Sequence, residues 1–256
     1  MERNYHKPSP SETIVIIGDN FIVDHLYNNF KRYSKNKIYK SDSIFKVENK
    51  IDYIIECSFN EKSQNAVLKY AIENNLKKVI LLNHWKKPIN EFNGLTIVQA
   101  VIPDVYGQEH ISFSRPGTGN NPDSPISYCS LICEGIRRIH DAKNNFIPNI
   151  YITYGEDNIK CLYVENLYEP IEFMINEIHE TSEYEIYDEY RNASVILDII
   201  KDIIDYKGNI IFENMKTVYN KSVKRLPYQH DHKPLGHNLK EIYRYLIYNN
   251  ERFMLL

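Results

Sequence analysis

The chain has 256 residues, a formal net charge of −3 and 43% hydrophobic residues, which is enough apolar material for a sizeable core. Its 31 Lys and Arg are nearly balanced by 34 Asp and Glu, so the basic footprint of a nucleic-acid binder is missing. Four cysteines without C-x-x-C spacing, no long apolar run and no basic-then-apolar leader argue against a disulfide framework and a membrane span, and set the expectation of a soluble chain in the reducing cytoplasm.

Residues 1–11, polar with Pro8 and Pro10, read as a flexible tail. The rest of the chain is organised around the stretch from Thr13 to Phe30. A run of β-formers (Ile14 to Ile17) meets Gly18, and Phe21, Ile22, His25, Leu26 and Phe30 then recur at helical spacing. This is the grammar of a first strand, a tight turn and a first helix. Lys37 to Tyr39 can form a second short strand ending at Ser41 and Asp42; Asp42 lies where a ribose-binding acid sits in a dinucleotide fold, although an Asp after a strand also serves simply as a turn residue. Residues 43–50 are too few for another helix and strand.

Strand Asp52 to Phe59, helix Lys62 to Asn75 and strand Lys77 to Leu82 make a βαβ unit, whose strands are parallel. The apolar strand Leu95 to Ile102 comes after it and runs into Pro103 to Gly107. The segment from Gln108 to Pro125 is long for a connection inside a compact domain, a length associated with function or mobility. Helix Ile126 to His140, strands Tyr151 to Tyr154 and Cys161 to Val164, and helix Glu165 to Glu180 come next. A last segment reads as strand Tyr184 to Tyr187, helix Ser194 to Tyr206, strand Asn209 to Phe212 and helix Leu239 to Asn249. The alternation predicts an α/β fold, a Rossmann-like doubly wound parallel sheet over 12–125. Residues 126–256 are expected to form a small C-terminal α/β subdomain of the substrate type within the same compact unit.

The order GDNFIVDHL, DYIIECSF, NAVLKYAIENNLKKVILL, IPDVYGQ, YGEDNIKCLYVENLYEPI and PLGHNLKEIYRYL resembles the extended short-chain dehydrogenase/reductases, the nucleotide-sugar epimerases, dehydratases and decarboxylases, over roughly residues 13–250. Phe21, Ile22, His25 and Leu26 match that family's first turn. Asp104 to Gln108 match its Asn-Val-Tyr-Gly-Pro, and Tyr163, Val164, Glu165 and Asn166 match its Tyr-Val-Asp-Asp. The resemblance implies NAD or NADP on the opening turn, through Gly18, Asn20, Phe21, Ile22 and Asp42, and a nucleotide sugar as substrate.

The departures fall on the chemistry. The family's three turn glycines correspond to Ile17, Asn20 and Val23, with Gly18 beside the first. The second glycine lets a pyrophosphate approach the backbone and the third lets helix and strand pack closely. Asn20 tolerates an unusual backbone angle, Val23 adds bulk, and Asp19 and Asp24 put carboxylates where they would cap the helix and repel an anion. The strand flanking the nicotinamide ends in small residues in the family and in Ser58-Phe59 here. Family chemistry also needs a Tyr with a Lys four residues later, and a hydroxyl at the preceding strand end. Here that strand end reads Leu82-Asn83-His84-Trp85, and the dozen residues before Leu95 cannot hold the Tyr-Lys helix. Tyr128 is a replacement candidate, but its partner position is Ile132.

Tyr128 and His84 are therefore the only catalytic candidates. Trp85, Arg115, Lys160 and Tyr163 are candidates for contacting a sugar nucleotide, Lys160 as a point charge in place of the family's Arg. His230, Asp231, His232 and His237 form the densest histidine group, which is more often a solvated loop than a metal site, and no metal is expected. The sequence leaves two functions open. The first is an epimerase/dehydratase-like protein that has lost the catalytic helix and the cofactor turn, with no cofactor, acting as a binding or regulatory partner of a nucleotide sugar or of an active homologue. The alternative is an active NAD(P)-dependent nucleotide-sugar epimerase, dehydratase or reductase with an unusual acid/base. Neither needs nucleic acid or membrane, and loss of the Tyr-Lys helix makes the usual family dimer interface doubtful.

Overall fold

The computed structural model describes residues 12–47, 50–84, 92, 94–102, 104–108, 131–152, 158–212, 223–228 and 233–254. They fall into two units.

The first unit draws on described residues within 1–103, 164–186 and 220–230. Its six-stranded sheet contains β1 (Thr13–Ile17), β2 (Lys37–Ser41), β3 (Tyr53–Glu56), β4 (Lys78–Asn83), β5 (Thr96–Val101) and β9 (Ser182–Glu185), in the order β2-β1-β3-β4-β5-β9. Every pairing in it is parallel. The Rossmann-like sheet is thus the expected one. All five residues of β1 and all six of β4 are buried, because helices cover both faces and leave no solvated side to alternate with. Val15, Ile17, Ile54, Val79, Leu81 and Ile97 pack with Val67 and Ala71 of α2 (Glu61–Glu73). Their neighbours along each strand point the other way, where α1 (Phe21–Tyr33) and α4 (Tyr168–Glu177) lie. Ile22, His25, Leu26 and Phe30 form the buried stripe of α1, as the spacing predicts.

The second unit draws on described residues within 104–163, 187–219 and 231–256. It holds a three-stranded sheet, β10 (Glu189–Asn192), β8 (Asn158–Tyr163) and β6 (Asp104–Tyr106), with β10-β8 antiparallel and β8-β6 parallel. A second, parallel pair joins β7 (Asn149–Ile152) and β11 (Asn209–Phe212). Three helices complete it: α3 (Leu131–Asn144), α5 (Ala193–Ile204) and α6 (Leu235–Met254). Ile132, Ile136 and Ile139 of α3, Ile196, Leu197 and Ile200 of α5, and Leu239 and Ile242 of α6 share one core. Gly135 lets α3 and α5 approach, since a Cβ there would stand 2.6 Å from Leu197 Cδ2.

β9 lies at the edge of the parallel sheet beside β5 and α4 packs on β4, so the first unit takes residues from both sides of 125/126. One expectation is corrected: the final helix starts at Leu235 rather than Leu239 and runs on to Met254. Residues 126–130 of the expected helix, the Asn-, Gly- and Pro-rich segment before them and the 1–11 tail lie outside the described residues.

Candidate functional site

In open parallel sheets ligands bind beyond the carboxyl ends of the strands, where strand order reverses. Here that point is the edge between β1 and β3. β1 runs into Gly18, whose φ of +140° and donated hydrogen bond to Ser41 O (2.9 Å) swing the chain toward α1. A Cβ on Gly18 would stand 2.9 Å from Val23 Cγ2 and 3.1 Å from the backbone of Cys57 and Ser58, so glycine is required both for the angle and for the space. Val23 is 2% exposed; its bulk, expected to obstruct packing, fits because Gly18 has no side chain.

Asn20 does what was expected of the neighbouring carboxylates. Its Oδ1 accepts from Ile22 N (3.0 Å) and Val23 N (3.2 Å), and its Nδ2 donates to Cys57 O (2.7 Å). The side chain therefore caps α1 and ties it to the end of β3. Its backbone is ordinary extended chain, φ −156°, so the unusual angle belongs to Gly18 and not to Asn20. Asp19 is exposed, and Asp24 reaches Lys40 (2.5 Å); neither is the cap. Ile22 is a core residue at 1% exposure and Phe21 is half-buried. Asp42 turns to Lys46 (2.7 Å) in an exposed i,i+4 pair, the arrangement of a turn residue.

Along the same edge, the turn after β3 holds Phe59 in the left-handed region (φ 56°), which is uncommon for a bulky side chain and costs about 1–3 kcal/mol. The turn lays the Phe59 ring on His84 with centroids 4.2 Å apart and planes within 14°. His84 Nδ1 lies 3.0 Å from Ile102 O. A carbonyl only accepts, so the proton sits on Nδ1, and Nε2 is shut off from solvent. A histidine held this way can meet a substrate only after the stack opens. Trp85 lies outside the described residues. β4 and β5 pair directly, Lys78↔Thr96 to Asn83↔Val101, and residues 84–95 are all that joins them.

Beneath this edge is a feature the sequence reading missed. Glu56, fully buried, accepts from Ser58 N (3.1 Å), from Ser58 Oγ and from Ser63 Oγ (3.0 Å). Burial raises its pKa more than these bonds and Gln64 lower it. Next to it Gln64 Nε2 donates to Asn83 Oδ1 (2.8 Å), Asn83 Nδ2 to Gln99 Oε1 (3.1 Å) and Gln99 Nε2 to Glu183 Oε1. The polar positions on α2, β4, β5 and β9 are thus linked in one chain of hydrogen bonds. Alternation along single strands carried no sign of this, because the partners are far apart in sequence. Lys78 was likewise invisible: 5% exposed, it donates to Met174 O (2.9 Å) and Ile175 O near the end of α4, and burial pushes its pKa down to about 8.

In the second unit, Lys160 Nζ lies over the rings of Tyr187 (5.3 Å) and Tyr190 (5.8 Å), an arrangement that already engages the charge expected to meet a phosphate. Tyr163, expected to line a substrate, is 6% exposed in the core; its ring lies against Tyr106 (5.4 Å) and its N–H donates to Asp188 Oδ2 (2.8 Å). It closes β8 and is turned inward by that register. Ile132 is fully buried. Tyr128, Arg115 and His230 to His232 lie outside the described residues, and His237 meets Glu241 (3.0 Å). Among the described residues no group of three or more His, Cys, Asp or Glu could hold a metal.

No protein-family model and no curated protein matches the sequence. Solved structures do match. A GDP-L-fucose synthetase from Naegleria fowleri is 12% identical with a TM-score of 0.64, over 95% of this chain and 94% of that one. A GDP-mannoheptose C4 reductase from Campylobacter jejuni with NADP bound is 13% identical with a TM-score of 0.66, over 93% and 99%. The fold is that of the extended short-chain dehydrogenase/reductases. A UDP-glucose 4-epimerase from Thermotoga maritima with UDP-glucose shares it at 12% identity and a TM-score of 0.67, over 93% and 99%. Within that fold, Gly18 and Asn20 stand at the opening turn, and residues 84–95 are the whole β4–β5 connection. Among the described residues no helix is long and apolar enough to cross a membrane.

Proposed function

We propose that this chain keeps the nucleotide-sugar epimerase/dehydratase fold without its hydride chemistry and acts as a binding or regulatory protein, with a nucleotide sugar or an active homologue as its partner. The observation that carries this reading is the Asn20 side chain. A dinucleotide pyrophosphate is held at a helix N-terminus by free backbone N–H groups and close backbone approach. Here Asn20 Oδ1 accepts from Ile22 and Val23, and Nδ2 bridges to Cys57 O. The turn does not fit a dinucleotide. The Phe59–His84 stack supports the same reading, because bulk stands where the family keeps small residues beside the nicotinamide. So does the β4–β5 connection: the twelve residues from 84 to 95 leave no place for a long helix bearing Tyr and Lys. Without that helix the family's usual two-helix dimer is not expected either.

The alternative, an active NAD(P)-dependent enzyme using His84 or Tyr128, is favoured by the NADP bound in a similarly folded reductase and a similarly folded GDP-L-fucose synthetase. One experiment separates the two: melting temperature and calorimetric heat on titration with NAD, NADP, NADPH, UDP-sugars and GDP-sugars. A ligand at a hundred times its Kd stabilises the native state by about 2.7 kcal/mol, a shift of several degrees. The expected result is no response to any dinucleotide at about millimolar concentration. A saturable shift with NADPH or NADP would overturn the proposal and restore the enzyme reading.

A further inference from the structure

Away from the strand edge, the first unit carries a half-open cavity of about 570 Å³, within the range of small-ligand sites. Its walls come from the end of α1, from α4 and from Tyr228. Two kinds of group dominate. Glu165, Glu169 and Glu172 supply carboxylates, and Tyr33, Tyr168, Phe173 and Tyr228 supply aromatic rings. The set is held in place. Tyr168 OH donates to Glu172 Oε1 (2.7 Å), and Tyr228 OH donates to Glu169 Oε2 (2.6 Å). Tyr33 leans on Tyr168 (centroids 5.8 Å) and Phe173 on Tyr228 (5.3 Å), while Tyr168 is anchored edge-on to buried Phe30 (4.8 Å).

The charge balance decides what such a cavity recognises. Among the described residues that line it, three carboxylates face one cation, Lys35; beside them the Arg32 guanidinium stands 5.2 Å from the Tyr33 ring and His25 Nδ1 lies 3.8 Å from Glu165 Oε1, so Glu169 and Glu172 carry the excess. The N-terminal end of α4 adds an effective charge of about +0.5, which leaves a clear negative excess. Burial and the bond to Glu172 both hold the Tyr168 phenol in its protonated form, so it stays a donor to the carboxylate. A bare ammonium would gain from the carboxylates alone. A planar guanidinium gains twice, since it stacks on aromatic faces and its fork of N–H donors matches a carboxylate oxygen pair.

We infer that this cavity binds a guanidinium cation, with Glu169 and Glu172 as its anionic partners and the Phe173 ring as its wall. The cation comes either from a free arginine-like metabolite or from an arginine side chain on a partner polypeptide. The inference does not rest on the closed state of the opening turn, and a dinucleotide titration cannot decide it.

The test is a calorimetric and ligand-observed NMR titration of the full chain with arginine methyl ester, an acetyl-Gly-Arg-Gly-amide peptide, and the same peptide with citrulline in place of arginine. The expected outcome is saturable binding of at least one arginine compound and none of the uncharged citrulline peptide. The double variant Glu169→Gln, Glu172→Gln should weaken binding at least about tenfold, about 1.4 kcal/mol, and raising the salt should weaken the unmodified chain. Both positions are on the surface of α4, and an unchanged circular dichroism spectrum and melting temperature establish that the variant folds. Phe173→Leu, which keeps the volume apolar and removes the ring, should weaken binding without touching a charge. Tighter binding of the peptide assigns the source to a polypeptide, and tighter binding of the ester to a metabolite. No saturable binding up to about 10 mM, binding of citrulline equal to arginine, or affinity unchanged in the double variant would each overturn the inference.

Discussion

The two helices that come after neighbouring strands of the parallel sheet begin in almost the same way. Asn20 caps α1 through Ile22 N and Val23 N, and Asn60 caps α2 through Lys62 N (2.8 Å) and Ser63 N (3.4 Å). The second is an ordinary exposed helix start with no ligand role to explain. The likeness teaches that α1, at the position where a dinucleotide fold binds its cofactor, meets its orphan donors as any other helix does. The difference is equally informative. Only at Asn20 does the amide nitrogen also reach across to the next strand, at Cys57 O, and only there does a glycine of φ +140° precede the cap.

Substitutions at these two starts should separate what is local capping from what is packing. The largest effect belongs to Gly18→Ala. The positive φ and the 2.9 Å approach to Val23 Cγ2 together predict a loss of about 3 kcal/mol, read as a lower urea midpoint. The companion change Gly18→Ala with Val23→Ala should recover part of it, because it removes the clash and leaves the backbone angle. Equal midpoints for the single and double variants would place the whole cost in the angle. Asn20→Ala comes next, at about 2 kcal/mol, since it removes the cap and also the bond to Cys57 O. Asn60→Ala should cost about 1 kcal/mol, the value of a cap alone. If the two alanine variants proved equally stable, the cross-strand tie would carry nothing and the likeness of the two starts would be complete.

Much of this was legible in the sequence, and the reasons differ from element to element. The parallel sheet was readable because both of its faces are buried, so β1 and β4 carry continuous apolar runs at Ile14 to Ile17 and Val79 to Leu82, and the helices keep a clean stripe such as Ile22, His25, Leu26 and Phe30. The three-residue β6 and the polar β10 have no such run, and their identity as strands comes only from pairing with β8. At the opening turn the sequence showed which glycines were missing, but it could not show which residue would cap. Asp19, Asn20 and Asp24 are all competent capping types, and only the chain path selects Asn20. The left-handed backbone at Phe59, and with it the stack on His84, is a property of the folded turn. The aromatic cavity was hidden for a different reason, since residues 33–36, 165–176 and 228 meet only in three dimensions. Its one local trace is the i,i+4 pair Tyr168 and Glu172.

Glu56 sharpens the comparison at the start of α2, because it supports that start as the Cys57 carbonyl supports α1: its Oε1 accepts from Ser63 Oγ within the first turn. Unlike a carbonyl it titrates. Burial raises its pKa above 4.5 in the folded state, so between 4.5 and the raised value the native chain binds more protons than the unfolded one. Stability therefore falls as pH rises through that window and stays lower above it. Glu56→Gln keeps an accepting oxygen for Ser58 and Ser63 and removes the charge, so the variant lacks this slope. Relative to the unmodified chain it should gain stability between acid and neutral pH, in the sense that the variant improves as pH rises. Urea unfolding at about pH 4 and about pH 7.5 reads the difference. Parallel shifts of the two chains would mean that Glu56 has the same pKa folded and unfolded, and that the serine hydroxyls and Gln64 offset its burial in full.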